Sequence, residues 1–318
     1  MTTQVPLLEV KDLKKTFPVR KLFKKTAHVK ALNGVSFTLL KNRTLAIVGE
    51  SGCGKTTLAR CLMKISRPTG GEVVISGRPI SEIPKTEFRR SIQMIFQDPY
   101  GSLNPRKKAW EIIAEPMRIN SGKPKAECRE AAYELIQKVG LRPELGNRYP
   151  HMFSGGQRQR LGIARALILH PDVLICDEPV SALDVSIQAQ ILNLLMELQK
   201  ELGLSYLFIS HDLSVVRHIS DEVVVIYLGQ IMEKGATADV FSAPKHPYTQ
   251  SLIAATPTIR AQKIKRPPLT GEVPSPLNPP SGCPFHKRCP IAIPRCASEV
   301  PEMRQVGPQW AACHLAEV

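Results

Sequence analysis

Two spacings of apolar residues take turns along the chain. Uninterrupted runs at residues 44–48 (TLAIV), 173–176 (VLIC) and 204–210 (LSYLFIS), bounded by turn or polar residues, predict buried strands. Two more strands are predicted at 71–77 (GEVVISG), between turn glycines, and at 91–97 (SIQMIFQ), which Asp98 and Pro99 end. Near the start, runs around 7–10 and 29–39 predict an antiparallel pair, and 221–235 (DEVVVIYLGQIMEKG) predicts a hairpin turning near Gly229.

Between these runs the spacing lengthens to that of helices. Residues 57–62 continue as a helix, and 108–117 and 124–139 form a helical insertion over 105–149, with Gly140 as a stop. Residues 155–169 set Leu161, Ala164 and Ile168 on one face, with Ser154 as the cap and Pro171 as the end. Ile187, Ile191, Leu194, Leu195, Leu198 and Leu202 recur with helical period until Gly203. Helices are also predicted through Phe241 and over 246–255. Strands alternating with helices predict an α/β fold with a parallel sheet, here with an antiparallel β subdomain in front and the helical insertion inside.

Composition changes the picture at one end. At 318 residues and 43% hydrophobic content the chain can bury one large core. Of its 27 prolines, 11 fall in the last 61 residues, which places a boundary near 257 and predicts a loop-rich extension that needs cross-linking to hold a shape. No window of about 18 apolar residues occurs, and MTTQVPLLEV lacks a basic-then-apolar leader, so the chain is expected to stay in the cytoplasm. The net charge of +15, with eight Lys or Arg at 11–30 against Asp12 alone, admits a solvated face, an anionic membrane leaflet or nucleic acid. No nucleic-acid-binding motif accompanies it. Cysteines of a cytoplasmic protein are expected to be reduced. Cys53, Cys61, Cys128 and Cys176 read as structural, while Cys283, Cys289, Cys296 and Cys313 cluster in the tail.

The chemistry centres on residues 49–57, GESGCGKTT, which fit G-x-x-x-x-G-K-[ST] at Gly49, Gly54, Lys55 and Thr56 between a strand and a helix. Glycines let successive backbone N–H groups converge on phosphate oxygens, Lys55 reaches the β and γ phosphates, and the Thr56 hydroxyl suits Mg2+. Gln97 leaves a strand end, where its carboxamide can meet a metal or a water. Asp177 and Glu178 end a buried strand, where parallel sheets bind ligands, and supply a Mg2+ partner and a water-activating base. His211 ends the next strand, which alone is more often structural. Phe17, in the loop after the first run, is equally a base-stacking ring or a packed one.

In order and spacing, Gly49 to Thr56, Gln97, Ser154-Gly155-Gly156-Gln157, Asp177-Glu178, the SALD of 181–184 and His211 resemble the motif set of ABC transporter ATP-binding subunits. The resemblance covers residues 5 to about 245. Residues 246–257 (HPYTQSLIAATP) and 271–283 (GEVPSPLNPPSGC) look like the C-terminal extension of the oligopeptide and dipeptide import subfamily, most similar to the second ATP-binding subunit of its dipeptide branch. It implies an ABC-type P-loop NTPase core over 1–257, with a helical subdomain at about 100–160, and a Cys/Pro-rich extension over 258–318.

The resemblance further implies a site. Gly49, Glu50, Ser51, Gly52, Cys53, Gly54, Lys55, Thr56 and Thr57 bind ATP, with Phe17 stacking on adenine. Thr56, Gln97 and Asp177 attend Mg2+, Glu178 polarises the attacking water, and His211 steadies the γ-phosphate. Ser154 to Gln157 close over ATP held by another subunit, with Ser181 and Asp184 at that contact. Phe153 and Phe17 stand where the family usually has Leu and Tyr, and both keep an apolar face. Partners would be a second ATP-binding subunit, making a heterodimer, two transmembrane permease subunits and an extracytoplasmic substrate-binding protein. The location would be peripheral, on the cytoplasmic face of the bacterial inner membrane, with no nucleic acid involved. An importer of nickel, glutathione or another small solute is the nearest alternative. A soluble ABC-type ATPase is more distant, since one domain is present and only 97 residues separate Thr56 from Ser154.

The tail cysteines stay open. Four thiolates in a segment with little core can supply a cross-link through a metal. Zinc sites usually pair cysteines two to four residues apart, closer than here, whereas a [4Fe-4S] cluster tolerates wider gaps and the resemblance to peptide-importer tails points to it. Unliganded thiols are the third reading.

Overall fold

The computed structural model describes residues 6–19, 27–256 and 271–317. In chain order the first elements are β1 (Pro6–Val19), β2 (Ala27–Leu40), β3 (Thr44–Val48), α1 (Lys55–Leu62), β4 (Gly70–Ile75), β5 (Arg78–Pro79), α2 (Lys85–Ser91) and β6 (Ile92–Ile95). There follow α3 (Pro99–Ser102), α4 (Ala109–Ser121), α5 (Lys125–Lys138), α6 (Gly155–Leu167), β7 (Val173–Asp177), α7 (Val185–Leu202) and β8 (Ser205–Ser210). The remainder are α8 (Leu213–Ile219), β9 (Glu222–Tyr227), β10 (Gln230–Ala236), α9 (Thr237–Ser242), α10 (Pro247–Ala255), α11 (Pro294–Ser298), β11 (Arg304–Val306) and β12 (Gln309–Ala311).

These elements form two compact units, each assembled from separate stretches of chain. One contains Leu40–Arg43 and Arg78–Ile209. Three of its strands are parallel: β6 pairs β7 from Ile92↔Val173 to Ile95↔Cys176, and β7 pairs β8 from Val173↔Ser205 to Asp177↔Ile209. Every residue of β7 and β8 is buried, which explains why both read as continuous apolar runs rather than alternating ones. Helices α4, α5 and α6 pack on one another, and α6 also packs on α7.

The other unit contains Pro6–Leu39, Thr44–Gly77 and the chain from Ser210 onward. Strand β3 is wholly buried and pairs in parallel with β9, Leu45↔Glu222 to Val48↔Val225. The hairpin of β9 and β10 turns at Leu228 and Gly229, both at positive φ. Strand β1 neighbours β2 and pairs antiparallel with β4. It runs on to Val19, so Phe17 lies on a strand and not in the loop expected for it. The basic insert between the first two predicted strands, residues 20–25, lies outside the described residues.

The tail departs most from expectation. It is tied into this unit by packing: β12 pairs antiparallel with β10 (Glu233↔Ala311, Lys234↔Trp310), and β11 pairs with β12. Phe285 is buried beside Tyr227, Tyr248 and His246, at ring separations of 5.4, 5.3 and 5.8 Å, and joins a core with Val48, Met232, Cys283 and Cys296. Burying one such aromatic is worth about 1.5–3 kcal/mol. Strands of three residues carry too little pattern to be read from sequence.

His246 sits at this junction. Its Nδ1 accepts from the Tyr248 N–H at 3.0 Å and caps α10, while burial and a hydrogen bond to the Ala312 backbone define its surroundings. Burial pushes its pKa down to about 3, so the folded protein holds it neutral. Below the ordinary histidine value near 6.5 the unfolded chain takes up the proton first, so stability falls as pH drops through that value toward the folded one. Buried Glu233, which accepts from the Lys245 and His246 N–H groups, is shifted up by burial and acts in the opposite sense as pH rises above 4.5, so the histidine effect is read as the difference between parent and variant. Between pH 7.5 and 5 the melting temperature should fall, and His246→Asn should remove part of that slope. An unchanged slope in the variant contradicts the assignment.

Candidate functional site

In the second unit the loop between β3 and α1 is shaped by what lies behind it. A Cβ at Gly49 would stand 2.2 Å from the Ile226 carbonyl oxygen, and one at Gly54, at φ +109°, would stand 2.4 Å from that of Ala31. Only glycine fits either place. Gly54 N-caps α1, so the helix starts at Lys55 with its N–H groups directed at the loop. Lys55 is buried, and its Nζ donates to the carbonyls of Gly49 at 2.7 Å and Glu50 at 3.0 Å. Ser51, Gly52 and Thr56 are exposed on the open side of the loop, and Thr57 is half-buried. Cys53 is buried, which pushes its thiol up.

The same unit brings His211 to this loop. With Gly49, Asp212, Leu213, Ser214, Leu252, Ala255 and Thr256 it lines a groove of about 480 Å³. Asp212 N-caps α8 through Ser214 and Val215, which fixes the backbone that carries His211. Phe17 is 39% exposed with the Lys15 ammonium 4.8 Å from its ring centroid.

In the first unit Glu178 and Gln97 meet: Gln97 Nε2 donates to Glu178 Oε2 at 2.9 Å. Glu178 is held at φ +46°, a conformation costly for a side chain of this type and common at functional sites. Its N–H donates to the Ile209 carbonyl at 2.9 Å, and its own carbonyl accepts from the Ser181 hydroxyl at 3.1 Å. Asp177, one residue earlier, is buried at the end of β7. Asp184 N-caps α7, and hydrogen bonds from the Ile187 N–H and then the Ser186 hydroxyl hold its carboxyl below the usual range.

Ser154 caps α6 reciprocally with Gln157: the Gln157 N–H donates to Ser154 Oγ at 3.3 Å, and the Ser154 N–H donates to Gln157 Oε1 at 3.0 Å. Gly155 and Gly156 follow at the helix start. At Gly156 a Cβ would fall 2.5 Å from Ile187 Cγ2, so this glycine lets α6 approach α7.

Several residues absent from the sequence expectations shape the site. Arg158 stacks on Tyr100, 3.8 Å from its ring centroid, and donates to the Pro150 carbonyl at 2.8 Å. Arg165 donates to the Ser102 carbonyl. Both grip α3, the short helix that Asp98 caps just after Gln97, and tie it to α6. The two arginines belong to a plainly amphipathic helix, and nothing in their spacing announces these contacts. In the second unit, Tyr248 Oη accepts from the Glu50 N–H at 2.9 Å, and Arg288 pairs with the Glu50 carboxylate.

Thr56 in the second unit, and Gln97 and Asp177 in the first, each carry an oxygen donor of the kind a hard cation such as Mg2+ takes. The tail cysteines are different. Cys283 and Cys296 are buried, Cys289 and Cys313 half-buried. Burial first, then the three other thiols, pushes Cys283 up to about 11. Yet among the described residues no group of three or more His, Cys, Asp or Glu is arranged to hold a metal ion. The ligand set expected of Cys283, Cys289, Cys296 and Cys313 is therefore not formed by these side chains. All four are free cysteines, and Cys283, Cys289 and Cys296 pack into the core around Phe285.

Residues 32–181 match the model of the ABC transporter family, and residues 232–296 that of the oligopeptide/dipeptide transporter C-terminal region. The chain is 55% identical to the dipeptide transport ATP-binding protein DppF of Escherichia coli, over 99% of this chain and 96% of that one. It is 52% identical to the oligopeptide transport ATP-binding protein AppF of Bacillus subtilis, over 98% of each. Among solved structures it resembles cbiO1 of Clostridium perfringens, part of the ABC transporter complex cbiONQ (TM-score 0.65, 29% identity, 75% of this chain and 91% of that one). It also resembles the ATP-binding cassette MJ0796 in a dimeric post-hydrolysis state bound to ADP and Pi (TM-score 0.63, 28% identity, 72% and 98%).

The close approach at Gly156 gives a direct test. Gly156→Ala should cost about 1–3 kcal/mol in urea unfolding, because Ile187 must move. Gly162→Ala, where an added Cβ meets nothing within 4 Å, should instead gain about 0.5–1 kcal/mol from helix propensity. Equal effects at the two positions would mean that α6 and α7 can separate without cost.

Proposed function

The chain belongs to the ATP-binding subunits of the ABC transporter family, and from that premise we propose that it powers uptake of dipeptides or oligopeptides by hydrolysing ATP. The observation that carries this reading is the phosphate loop, whose Gly49 and Gly54 are pressed so closely on the backbone of Ile226 and Ala31 that only glycine fits, in a chain similar along its whole length to peptide-transport subunits. Nickel, glutathione and soluble-ATPase readings have no comparable support.

The roles are assigned as follows. Residues 49–57 take the phosphates, with Lys55 leaving its loop carbonyls to pair with them, and Phe17 offers its exposed ring to the base. Glu178 takes the proton of the attacking water, with Gln97 fixing its carboxylate, and His211 steadies the γ-phosphate. Thr56, Asp177 and Gln97 would hold Mg2+, which would supply positive charge to offset that of the phosphates. Ser154, Gly155, Gly156 and Gln157 present a capped helix start to ATP on a second ATP-binding subunit, with Ser181 and Asp184 beside it.

That second subunit, in a heterodimer, two permease subunits and an extracytoplasmic binding protein complete the assembly we propose. Among the described residues no helix is long and apolar enough to cross a membrane; from the likeness to transport subunits the chain would be peripheral, on the cytoplasmic face of the inner membrane. The ATP-binding domain would occupy 1–257, with its helical subdomain at about 100–160, and the extension 258–318.

Glu178→Gln should leave ATP binding intact and slow hydrolysis about 10² to 10⁴-fold in the assembled transporter. Turnover at the parent rate would remove Glu178 from the role of base.

The [4Fe-4S] cluster at Cys283, Cys289, Cys296 and Cys313, with zinc as the alternative, rests on the sequence alone, which puts four cysteines in the tail. Anaerobic purification with visible absorption and iron and zinc analysis decides it. Stoichiometric iron with a broad visible band supports the cluster, zinc alone supports the alternative, and a colourless metal-free protein with a folded tail rejects both.

A further inference from the structure

Glu50, the second residue of the phosphate loop, is held at three points. Its N–H donates to Tyr248 Oη at 2.9 Å, and its carbonyl accepts from Lys55 Nζ at 3.0 Å. Its carboxylate accepts both arms of the Arg288 guanidinium, 2.6 Å from Nη1 and 3.0 Å from Nη2. Two of these three ties come from residues far along the chain, and the strongest comes from the tail.

The pair is built to be rigid. The Arg288 side chain is 5% exposed and that of Glu50 is 23% exposed, so solvent screens the pair less than a surface one. The planar fork matches a carboxylate in two parallel hydrogen bonds, which fixes direction as well as distance. Nη1 also donates to Tyr227 Oη at 3.3 Å. Tyr227 packs 4.7 Å from Tyr248 and 5.4 Å from Phe285, so the aromatic group that seats the tail also aligns both holders of Glu50.

The charge matters as much as the geometry. A carboxylate at the second position of a phosphate-binding loop opposes the ligand unless a fixed cation offsets it. We infer that Arg288 is a positioning residue of the nucleotide site: it holds Glu50 so that the loop N–H groups stay convergent, and it neutralises the Glu50 carboxylate beside the bound phosphates. The inference rests on residues 49–57 being the ATP-binding loop. It gives the tail a part in nucleotide binding that requires no metal.

The test is binding of trinitrophenyl-ATP to the full-length chain, with thermal unfolding recorded for every variant. Arg288→Ala should weaken binding about tenfold, the size expected for losing a charged, two-pronged contact. Adding Glu50→Gln to Arg288→Ala should restore binding to within about threefold of the parent, because the carboxylate left alone is the larger part of the harm. A purely structural role for Arg288 gives no such rescue. Parent-strength binding in Arg288→Ala, or a double variant no better than the single one, overturns the inference. If Arg288→Ala does not fold, Arg288→Lys decides: it keeps the charge without the fork, so weakened binding supports the inference and parent-strength binding overturns it. Lys55→Ala separates the two levels. Loss of binding there with none in Arg288→Ala overturns only the role of Arg288, whereas undiminished binding in both overturns the site itself.

Discussion

The backbone at Gly49 and at Gly54 has no room behind it, and the second unit packs to keep it so. Carbonyls of Ile226 and Ala31 stand where side chains on Gly49 and Gly54 would be. Strand β3 supplies the rigid entry to the loop, because all five of its residues are buried and it is paired along its length with β9. Helix α1 supplies the exit, and Lys55 turns back onto the loop from its first turn. An anion-binding loop works by having its N–H groups directed before the ligand arrives, so the packing behind it is part of the binding energy.

The first unit solves a different problem, which is to hold a carboxylate in place at the end of a strand. Glu178 is kept in a left-handed conformation by its N–H bond to Ile209, by Ser181 on its carbonyl and by Gln97 on its carboxylate. Gln97 is in turn followed by α3, which Arg158 and Arg165 clamp to α6. The helix whose start carries Ser154 and Gly156 therefore also restrains the segment next to the carboxylate proposed as the base. In each unit a few contacts of buried cations with backbone or carboxylate oxygens set the chemistry.

What sequence made legible follows from range. The phosphate loop, the end of β7 and the capped start of α6 are local patterns, in which glycine, Ser and carboxylate positions are dictated by neighbours a few residues away. The long amphipathic helices α5, α6 and α7 are readable for the same reason. Phe17 falls on a strand rather than in a loop because β1 continues past its apolar run through half-exposed residues. The tail's need for a cross-link is overstated by its composition, because its anchors, Phe285 in the aromatic core and β12 on β10, are contacts with residues dozens of positions away. Arg288 and Glu50 are 238 positions apart, and no spacing rule reaches that far.

Two surfaces thus stand on one chain: the glycine-rich loop of residues 49–57 and the capped helix start at Ser154, which we propose meets the ATP of a second subunit. Their separation in function is most directly measured with Ser154→Arg, by comparing ATP binding to the isolated chain with ATP turnover in the assembled transporter. Binding at parent strength together with lost turnover is the predicted result, because a bulky cation at the helix start blocks closure without touching the phosphate loop. Loss of binding in the isolated chain, or turnover at the parent rate, would contradict the two-sided site.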